Sequence, residues 1–178
     1  MMSNAKQRRI RQYSLCMMWL IPAIAFLSVL APALYWVGDV DVIWFGDSNL
    51  VLAENPPLKA RRLVGVIAVA PALIAWLIAL YQLFAMFRNF HAGSVFALST
   101  IRRMRAYALF AGLTALFTVA GSGSRRWAQG EFSNQPLWTH IQISLEHWLL
   151  IFTAAIFYFV SFALEWAKDY KDEAESYI

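Results

Sequence analysis

Four long stretches without a charged residue divide this chain, and they constrain its fold more than any other feature. They contain 27, 25, 19 and 18 residues and lie between Arg11 and Asp39, Arg62 and Arg88, Arg105 and Arg125, and Glu146 and Glu165. A helix of about 18 or more apolar residues crosses the hydrocarbon core of a bilayer, and its backbone polar groups are bonded within the segment. We therefore predict an all-α integral membrane protein, a four-helix transmembrane bundle with short outer loops. Its spans are expected at 15–37, 63–87, 106–122 and 146–165.

The composition agrees with a membrane protein and excludes other classes. Hydrophobic residues make up 60% of the 178 residues, charged residues make up 15%, and the mean hydropathy is +0.51. Soluble domains carry about 25% charged residues, and a chain of this length has too little interior to hide so much apolar surface. We predict one membrane domain over residues 1–178, with a cytoplasmic tail at 166–178.

The first span follows a basic segment, as in a secretory signal peptide, and contains a small-residue stretch at Ala31–Ala33. Its apolar region is longer than that of a signal peptide. It also ends in Tyr35 and Trp36, and such aromatic residues are typical of a membrane interface. We expect a retained transmembrane helix here.

The division of basic residues between the two sides of the membrane predicts the orientation. With the N-terminus inside, ten Lys and Arg residues face the cytoplasm and five face outward. The inner ones are Lys6, Arg8, Arg9, Arg11, Arg88, Arg102, Arg103, Arg105, Lys168 and Lys171, and the outer ones are Lys59, Arg61, Arg62, Arg125 and Arg126. Because cytoplasmic loops carry the excess of Lys and Arg, both termini are expected in the cytoplasm. The same rule accounts for the net charge of +4, so no direct nucleic-acid partner is expected.

The predicted spans contain no charged residue at mid-bilayer, which argues against an ion-coupled transporter. Their polar residues are uncharged: Ser28, Gln82, Thr114, Thr118, Thr153 and Ser161. Together with Gly65 and Gly112, these residues are expected to serve helix packing. Pro22, Pro32 and Pro71 lie within spans, where proline kinks a helix without ending it.

The inner connection, residues 88–105, combines a turn with a basic amphipathic segment. Gly93 predicts the turn, and Ser99 or Thr100 is placed to cap the helix that continues into the third span. The cationic side consists of Arg102, Arg103 and Arg105. These side chains are expected to meet lipid phosphate. Two interpretations stay open: an ordinary turn with positive-inside flanks, or a surface that binds a partner.

This region resembles a known family. It reads Leu83-Phe84-x-x-Phe87-Arg88-Asn89-Phe90-x-x-Gly93-x-x-Phe96, followed by Ile101-Arg102-Arg103-Met104-Arg105. An aromatic-rich helix end, a glycine turn, a Phe and a short Leu/Arg helix are the pattern of the bacterial domain-of-unknown-function family 2975, whose members are small four-span membrane proteins. The C-terminal stretch from Glu165 to Ile178 is similar to the acidic tail of that family and departs from it at Glu175-Ser176-Tyr177.

The resemblance implies a four-span protein of the bacterial cytoplasmic (inner) membrane and brings no biochemical activity. Members often stand beside small helix-turn-helix regulators, which implies a cytoplasmic protein partner of that kind. We accordingly expect a non-enzymatic regulatory or interaction protein in the lipid bilayer. The alternatives are a small accessory subunit of a larger membrane complex, a homo-oligomer, or a membrane-embedded ligand-binding protein with its site at the outer mouth of span four.

Acidic residues concentrate on the C-terminal tail, opposite in charge to the inner connection. Span four is expected to continue as a helix past Trp166, since Ala167–Ala174 contains no Gly or Pro. Glu173 and Glu175 are then placed to reach the arginines of the inner connection or to bind a basic partner. With Arg102, Arg103 and Arg105 they form the candidate interaction residues.

A polar cluster is expected at the outer mouth of span four. Its candidate members are Arg125, Arg126, His140, Glu146 and His147. On a shared helix His140 and His147 would lie about 10.5 Å apart along the axis, too far to hold one metal ion together, so no metal and no haem are expected. The chain has neither a phosphate-binding glycine loop nor a nucleophile elbow, so no cofactor and no enzymatic activity are expected.

The orientation is testable by cysteine labelling in intact cells. With Cys16 replaced, single cysteines at Asn49 and Ser133 should react with a membrane-impermeant thiol reagent, because both positions are predicted to lie outside. Cysteines at Ala5 and Ser176 are the controls for the inner side. Reaction at either control, with none at the outer positions, would reverse the orientation.

Overall fold

The computed structural model describes residues 4–36, 62–94, 97–128 and 143–176. Within these ranges there are four helices and no strand: α1 (Asn4–Trp36), α2 (Arg62–His91), α3 (Leu98–Ala128) and α4 (Leu145–Ser176). Each contains a segment long and apolar enough to cross a membrane: Arg11–Leu34, Leu63–His91, Leu98–Ser124 and Leu145–Tyr170. The predicted all-α, four-helix transmembrane bundle is therefore confirmed. Most of the two predicted outer loops lies outside the described residues.

All four helices extend beyond the predicted spans, and α1 begins at Asn4 instead of 15. Helix α3 begins at Leu98, well before the predicted start at 106, and so includes the three arginines of the inner connection. Long arginine side chains permit this, since their stems cover apolar surface while the charge stays at the interface. Helix α4 runs to Ser176, which confirms the predicted continuation past Trp166.

The helices pack in chain order, with α2 on α1, α3 on α2, and α4 on α3. Helices α1 and α4 make no comparable contact with each other. We call the end of the bundle that holds the start of α1, the α2–α3 connection and the end of α4 the terminal end. The opposite end, where α1 and α3 finish and α2 and α4 begin, is the loop end.

The short connection between α2 and α3 explains why these two helices form a tight hairpin. Gly93 has a φ of 83°, a left-handed conformation that favours glycine. The amide of Gly93 donates to the Phe90 carbonyl and the amide of Ser94 donates to the Asn89 carbonyl, each at 3.0 Å. This pair of bonds is the Schellman arrangement that closes a helix, so the turn predicted at Gly93 is confirmed.

The predicted cap of α3 is wrong. The Ala97 carbonyl accepts the first amides, those of Thr100 and Ile101, so Ser99 and Thr100 lie inside the first turn. The Thr100 hydroxyl instead donates to the Ser94 carbonyl at 3.0 Å, because the turn places that carbonyl beside the new helix. The Asn89 amide donates to Thr100 Oγ1 at 3.1 Å and joins the two helices.

Small residues line the helix interfaces. Ala79, Ala111 and Ala115 are fully buried, which lets the backbones approach closely, as is common between membrane helices. Tyr107 adds an aromatic contact between α3 and α4, with its ring 4.8 Å from that of Phe157. The core therefore follows α3, which has a partner on each side.

The backbones of α2 and α3 approach closely at the loop end. A Cβ atom built on Gly121 would lie 2.6 Å from the carbonyl oxygen of Ala68, a distance at which the helices would have to separate. Gly112, expected from the sequence to serve packing, has open space around its Cα. Gly121 is therefore the glycine on which this contact depends.

Gly121→Ala should destabilise the protein, and Gly112→Ala is its matched control. Alanine in place of glycine favours a helix by about 1 kcal/mol, but at position 121 the overlap with α2 should cost about 1–3 kcal/mol. We expect Gly112→Ala to leave the free energy of unfolding unchanged or raised, and Gly121→Ala to lower it. Denaturant titration in detergent measures both. Equal effects of the two substitutions would contradict the close contact.

Candidate functional site

A cavity of about 600 Å³ lies between the four helices, in the half of the bundle nearer the loop end. All four helices contribute to its lining: Ile24, Leu27, Ser28, Ala31 and Pro32 from α1; Ala68, Val69, Ala72, Leu73 and Trp76 from α2; Thr114, Thr118 and Gly121 from α3; and Glu146, His147 and Leu150 from α4. Apolar residues predominate, with a few polar groups among them. This composition is typical of small-molecule sites.

The cavity extends from the loop end to the middle of the membrane. Trp76 lies thirteen residues from Leu63, the loop-end limit of the α2 span, which corresponds to about 20 Å along a helix. Thr114 lies ten residues from Ser124 on α3, or about 15 Å. Because these segments contain 29 and 27 residues, Trp76 and Thr114 lie near the middle of their spans.

The position of the cavity follows from the helix packing. Each helix contacts its neighbour in the chain, whereas α1 and α4 make no comparable contact. The cavity is lined by both α1 and α4, so it occupies the side on which the bundle is not closed by helix contact. That side opens to the surface of the described bundle.

A hydrogen bond between helices holds the deep part of the cavity. The indole N–H of Trp76 donates to the hydroxyl oxygen of Ser28 at 3.0 Å, and the Ser28 hydroxyl donates to the Ile24 carbonyl at 2.8 Å. An indole N–H in hydrocarbon needs an acceptor. Ser28 supplies it, fixes the ring, and ties α1 to α2. This role agrees with the packing function expected for Ser28.

The start of α4 forms the mouth of the cavity. The amide of Ser144 donates to Nδ1 of His147 at 3.0 Å, and the Ser144 hydroxyl oxygen lies 2.6 Å from the same nitrogen. Serine followed three residues later by an acceptor is a capping box, usually built with Glu or Gln. Because Nδ1 accepts the amide hydrogen, the neutral ring carries its own hydrogen on Nε2.

The structure brings together two of the five residues predicted at the outer mouth. Glu146 is exposed and His147 is buried, and both line the cavity. Arg125 and Arg126 belong to the last turns of α3, but their side chains lie outside the described residues. His140 lies outside them altogether.

The candidate interaction residues at the terminal end take different positions. Arg102 is exposed, whereas the Arg103 guanidinium donates to the Gln82 side-chain oxygen at 3.4 Å and so connects α3 to α2. Arg105 forms an ion pair with Glu165 of α4, and its Nε is buried without an acceptor among the described residues. Glu173 is exposed, and the side chain of Glu175 lies outside the described part. Two of the three arginines therefore hold helices together.

Three residues of the site were not singled out from the sequence: Ser144, Trp76 and Gly121. The spacing of Ser144 and His147 carries a local signal, because it matches a capping box. Trp76 has none, since its partner Ser28 is 48 residues away. Gly121 stands among alanines and glycines that look alike, and only the arrangement of the helices distinguishes it.

Within the described ranges, no three His, Cys, Asp or Glu residues are grouped so as to hold a metal ion. Comparison of the chain with protein-family models, with curated proteins and with solved structures gives no match. The proposals below therefore rest on the geometry of this molecule and on its sequence.

The capping role of His147 predicts a difference between two substitutions. His147→Ala removes the acceptor of the Ser144 amide and should lower the free energy of unfolding by about 0.5–2 kcal/mol, as loss of a cap does. His147→Gln keeps an acceptor of the capping-box type and should cost less. Denaturant titration in detergent compares the two. If His147→Gln is as damaging as His147→Ala, the capping role is wrong.

Proposed function

We propose that this protein binds a small, mainly apolar molecule in the cavity between its four helices. The observation that carries the proposal is the cavity itself: about 600 Å³, apolar walls, and polar groups from three helices. Sites for small molecules typically have about 300–1,000 Å³ and this mixture of groups. Of the functions expected from the sequence, this is the membrane-embedded ligand-binding protein with its site at the mouth of span four.

The unclosed side between α1 and α4 supports access from the bilayer. An apolar solute concentrates in lipid, so a site that faces lipid meets it at higher concentration than a site that faces water. Exposed Phe152 and Phe159 on α4, like Phe26 on α1, show that the outer surfaces of these helices are suited to lipid. The ligand then passes from hydrocarbon to cavity without crossing water.

The location of the site follows from the proposed topology. We place the protein in the bacterial cytoplasmic membrane with both termini in the cytoplasm, on the ten-to-five division of basic residues and on the family resemblance. The loop end then faces outward, and the cavity lies in the outer leaflet.

A regulatory partner in the cytoplasm is a second candidate function. It is favoured by α4, which continues as a helix to Ser176, beyond the membrane-spanning segment that ends at Tyr170. This places Glu173 on a helix that a basic protein such as a small helix-turn-helix regulator can bind through complementary charge. Exposed Arg102 lies at the same end of the bundle. A ligand sensor with a cytoplasmic partner combines both candidates.

Filling the cavity should abolish binding, and Ala72→Phe is the variant that does so. Ala72 lines the cavity, whereas Ala155 is exposed on α4 and lies outside it. We therefore use Ala155→Phe as the matched control. The probe is a diazirine-bearing hydrocarbon, photoactivated with the full chain in lipid vesicles, and peptide mapping measures its attachment to Ile24 and Leu27.

Attachment should saturate, should decrease in the presence of excess unlabelled probe, and should fall at least tenfold in Ala72→Phe with no change in Ala155→Phe. Attachment that rises linearly with probe and is equal in the two variants would show only contact with bulk lipid. That result would contradict the proposed function.

A further inference from the structure

Below its mouth, where His147 carries a donor on Nε2, the side-chain hydrogen-bonding groups that line the cavity offer a ligand acceptors. The Thr114 hydroxyl donates to the Phe110 carbonyl and the Thr118 hydroxyl donates to the Thr114 carbonyl, each at 2.8 Å. The Ser28 hydroxyl likewise donates to the Ile24 carbonyl, and the Trp76 indole N–H donates to the Ser28 hydroxyl oxygen. A hydroxyl that has donated its one hydrogen still has lone pairs. The hydroxyl groups of Ser28, Thr114 and Thr118 can therefore only accept a hydrogen bond from a ligand.

Pro32 adds a fourth acceptor to the same region. Proline has no backbone N–H, so the carbonyl four residues earlier, that of Ser28, lacks its usual helical donor. Pro32 is buried and lines the cavity beside Ser28. A carbonyl freed in this way within hydrocarbon gains from any donor brought to it.

These acceptors lie below the level of lipid headgroups. Ser28 is six residues from Leu34 and Thr118 is six residues from Ser124, the loop-end limits of their spans. Both therefore lie about 9 Å along the helix from the loop-end limit of the spanning segment. The headgroup of a phospholipid stays at the interface, so a phospholipid does not bring a donor to this depth.

Charge at this depth is also disfavoured. Glu146 and His147 are the titratable residues among the described residues that line the cavity, and both stand at its mouth, in the first turn of α4. Around Ser28 and Thr118 a carboxylate ligand would find acceptors where it needs donors. An ammonium group would have to leave water with no counter-charge beside Ser28 or Thr118.

We infer that the cavity selects an uncharged amphiphile with a hydroxyl group, a lipid alcohol whose O–H donates to the acceptors around Ser28 and Thr118. The inference rests on the proposed function, since it names the ligand class of the same site. The apolar part of the molecule lies against the alanine, leucine and isoleucine walls and on the lipid-facing side between α1 and α4.

A series of competitors with one chain and different head groups tests the inference. Dodecan-1-ol, its methyl ether, dodecylamine and dodecanoate compete against the diazirine hydrocarbon for the full chain in vesicles, at equal mole fractions in the membrane. The alcohol should compete about five times more strongly than the ether, which is the effect of one net hydrogen bond. The amine and the carboxylate should be weaker than the alcohol.

Valine substitutions locate the selectivity. Thr114→Val with Thr118→Val keeps the shape of the side chains and removes their oxygens, so the preference for alcohol over ether should fall towards one. Thr153→Val is the matched control, because Thr153 donates to the Leu149 carbonyl at 2.7 Å in the same way and lies outside the cavity. It should keep the fivefold preference.

The outcomes separate this inference from the proposed function. Equal competition by alcohol and ether would overturn the hydroxyl selectivity and leave ligand binding intact. Stronger competition by the amine would overturn it too, in favour of recognition by Glu146. An equal loss of preference in the Thr153 control would assign the effect to general destabilisation and also overturn it. If no member of the series competes, the ligand-binding function fails as well.

Discussion

Inside a bilayer every N–H and O–H has to find its acceptor within the protein, and most of this structure follows from that constraint. It makes the four apolar segments helical, and it directs the few polar side chains among them. Thr114, Thr118 and Ser28 each donate to a carbonyl of their own helix, so none of them needs a distant partner. Trp76 cannot reach such a carbonyl and uses Ser28 instead. As a result these four side chains have donated their hydrogens within the protein, and the three hydroxyl oxygens keep lone pairs that can accept.

The close backbone contact between α2 and α3 borders the cavity, since Ala68 and Gly121 line it. Gly121 lets α3 approach the carbonyl of Ala68. Buried alanines along α2 and α3 continue the close packing of these two helices. Attraction between membrane helices comes from such packing, because lipid is as apolar as the side chains. Helices α1 and α4 make no comparable contact with each other, and the cavity lies where they line the same space.

The sequence predicts the helices well because their signal is local, and it predicts the site poorly because the site is not. Uncharged runs and the left-handed Gly93 mark the spans and the tight turn, and both are confirmed. The third span was started too late, at 106, because Arg102, Arg103 and Arg105 were assigned to the inner connection, whereas long cationic side chains let a spanning helix extend into the interface. Trp76 and Ser28 meet only after α1 and α2 have packed. Glu146 and His147 were expected at the mouth of span four and line the cavity there, whereas the orientation and the cytoplasmic partner stay predictions.

The two ends of the bundle are held in different ways, and this difference bears on what the proposed ligand would do. At the terminal end, polar contacts join neighbours in series: His91 to the Arg11 carbonyl, Asn89 to Thr100, and Arg105 to Glu165. At the loop end the described contacts join α2 to α3, while the cavity separates α1 from α4. A molecule seated there supplies the packing that these two helices lack. Because it binds the folded bundle and not the unfolded chain, its binding free energy adds to stability, and it acts on the outer helices α1 and α4. Helix α4 lines the cavity at its start and continues into the acidic tail, so on the proposed function the ligand contacts the same helix that carries the tail.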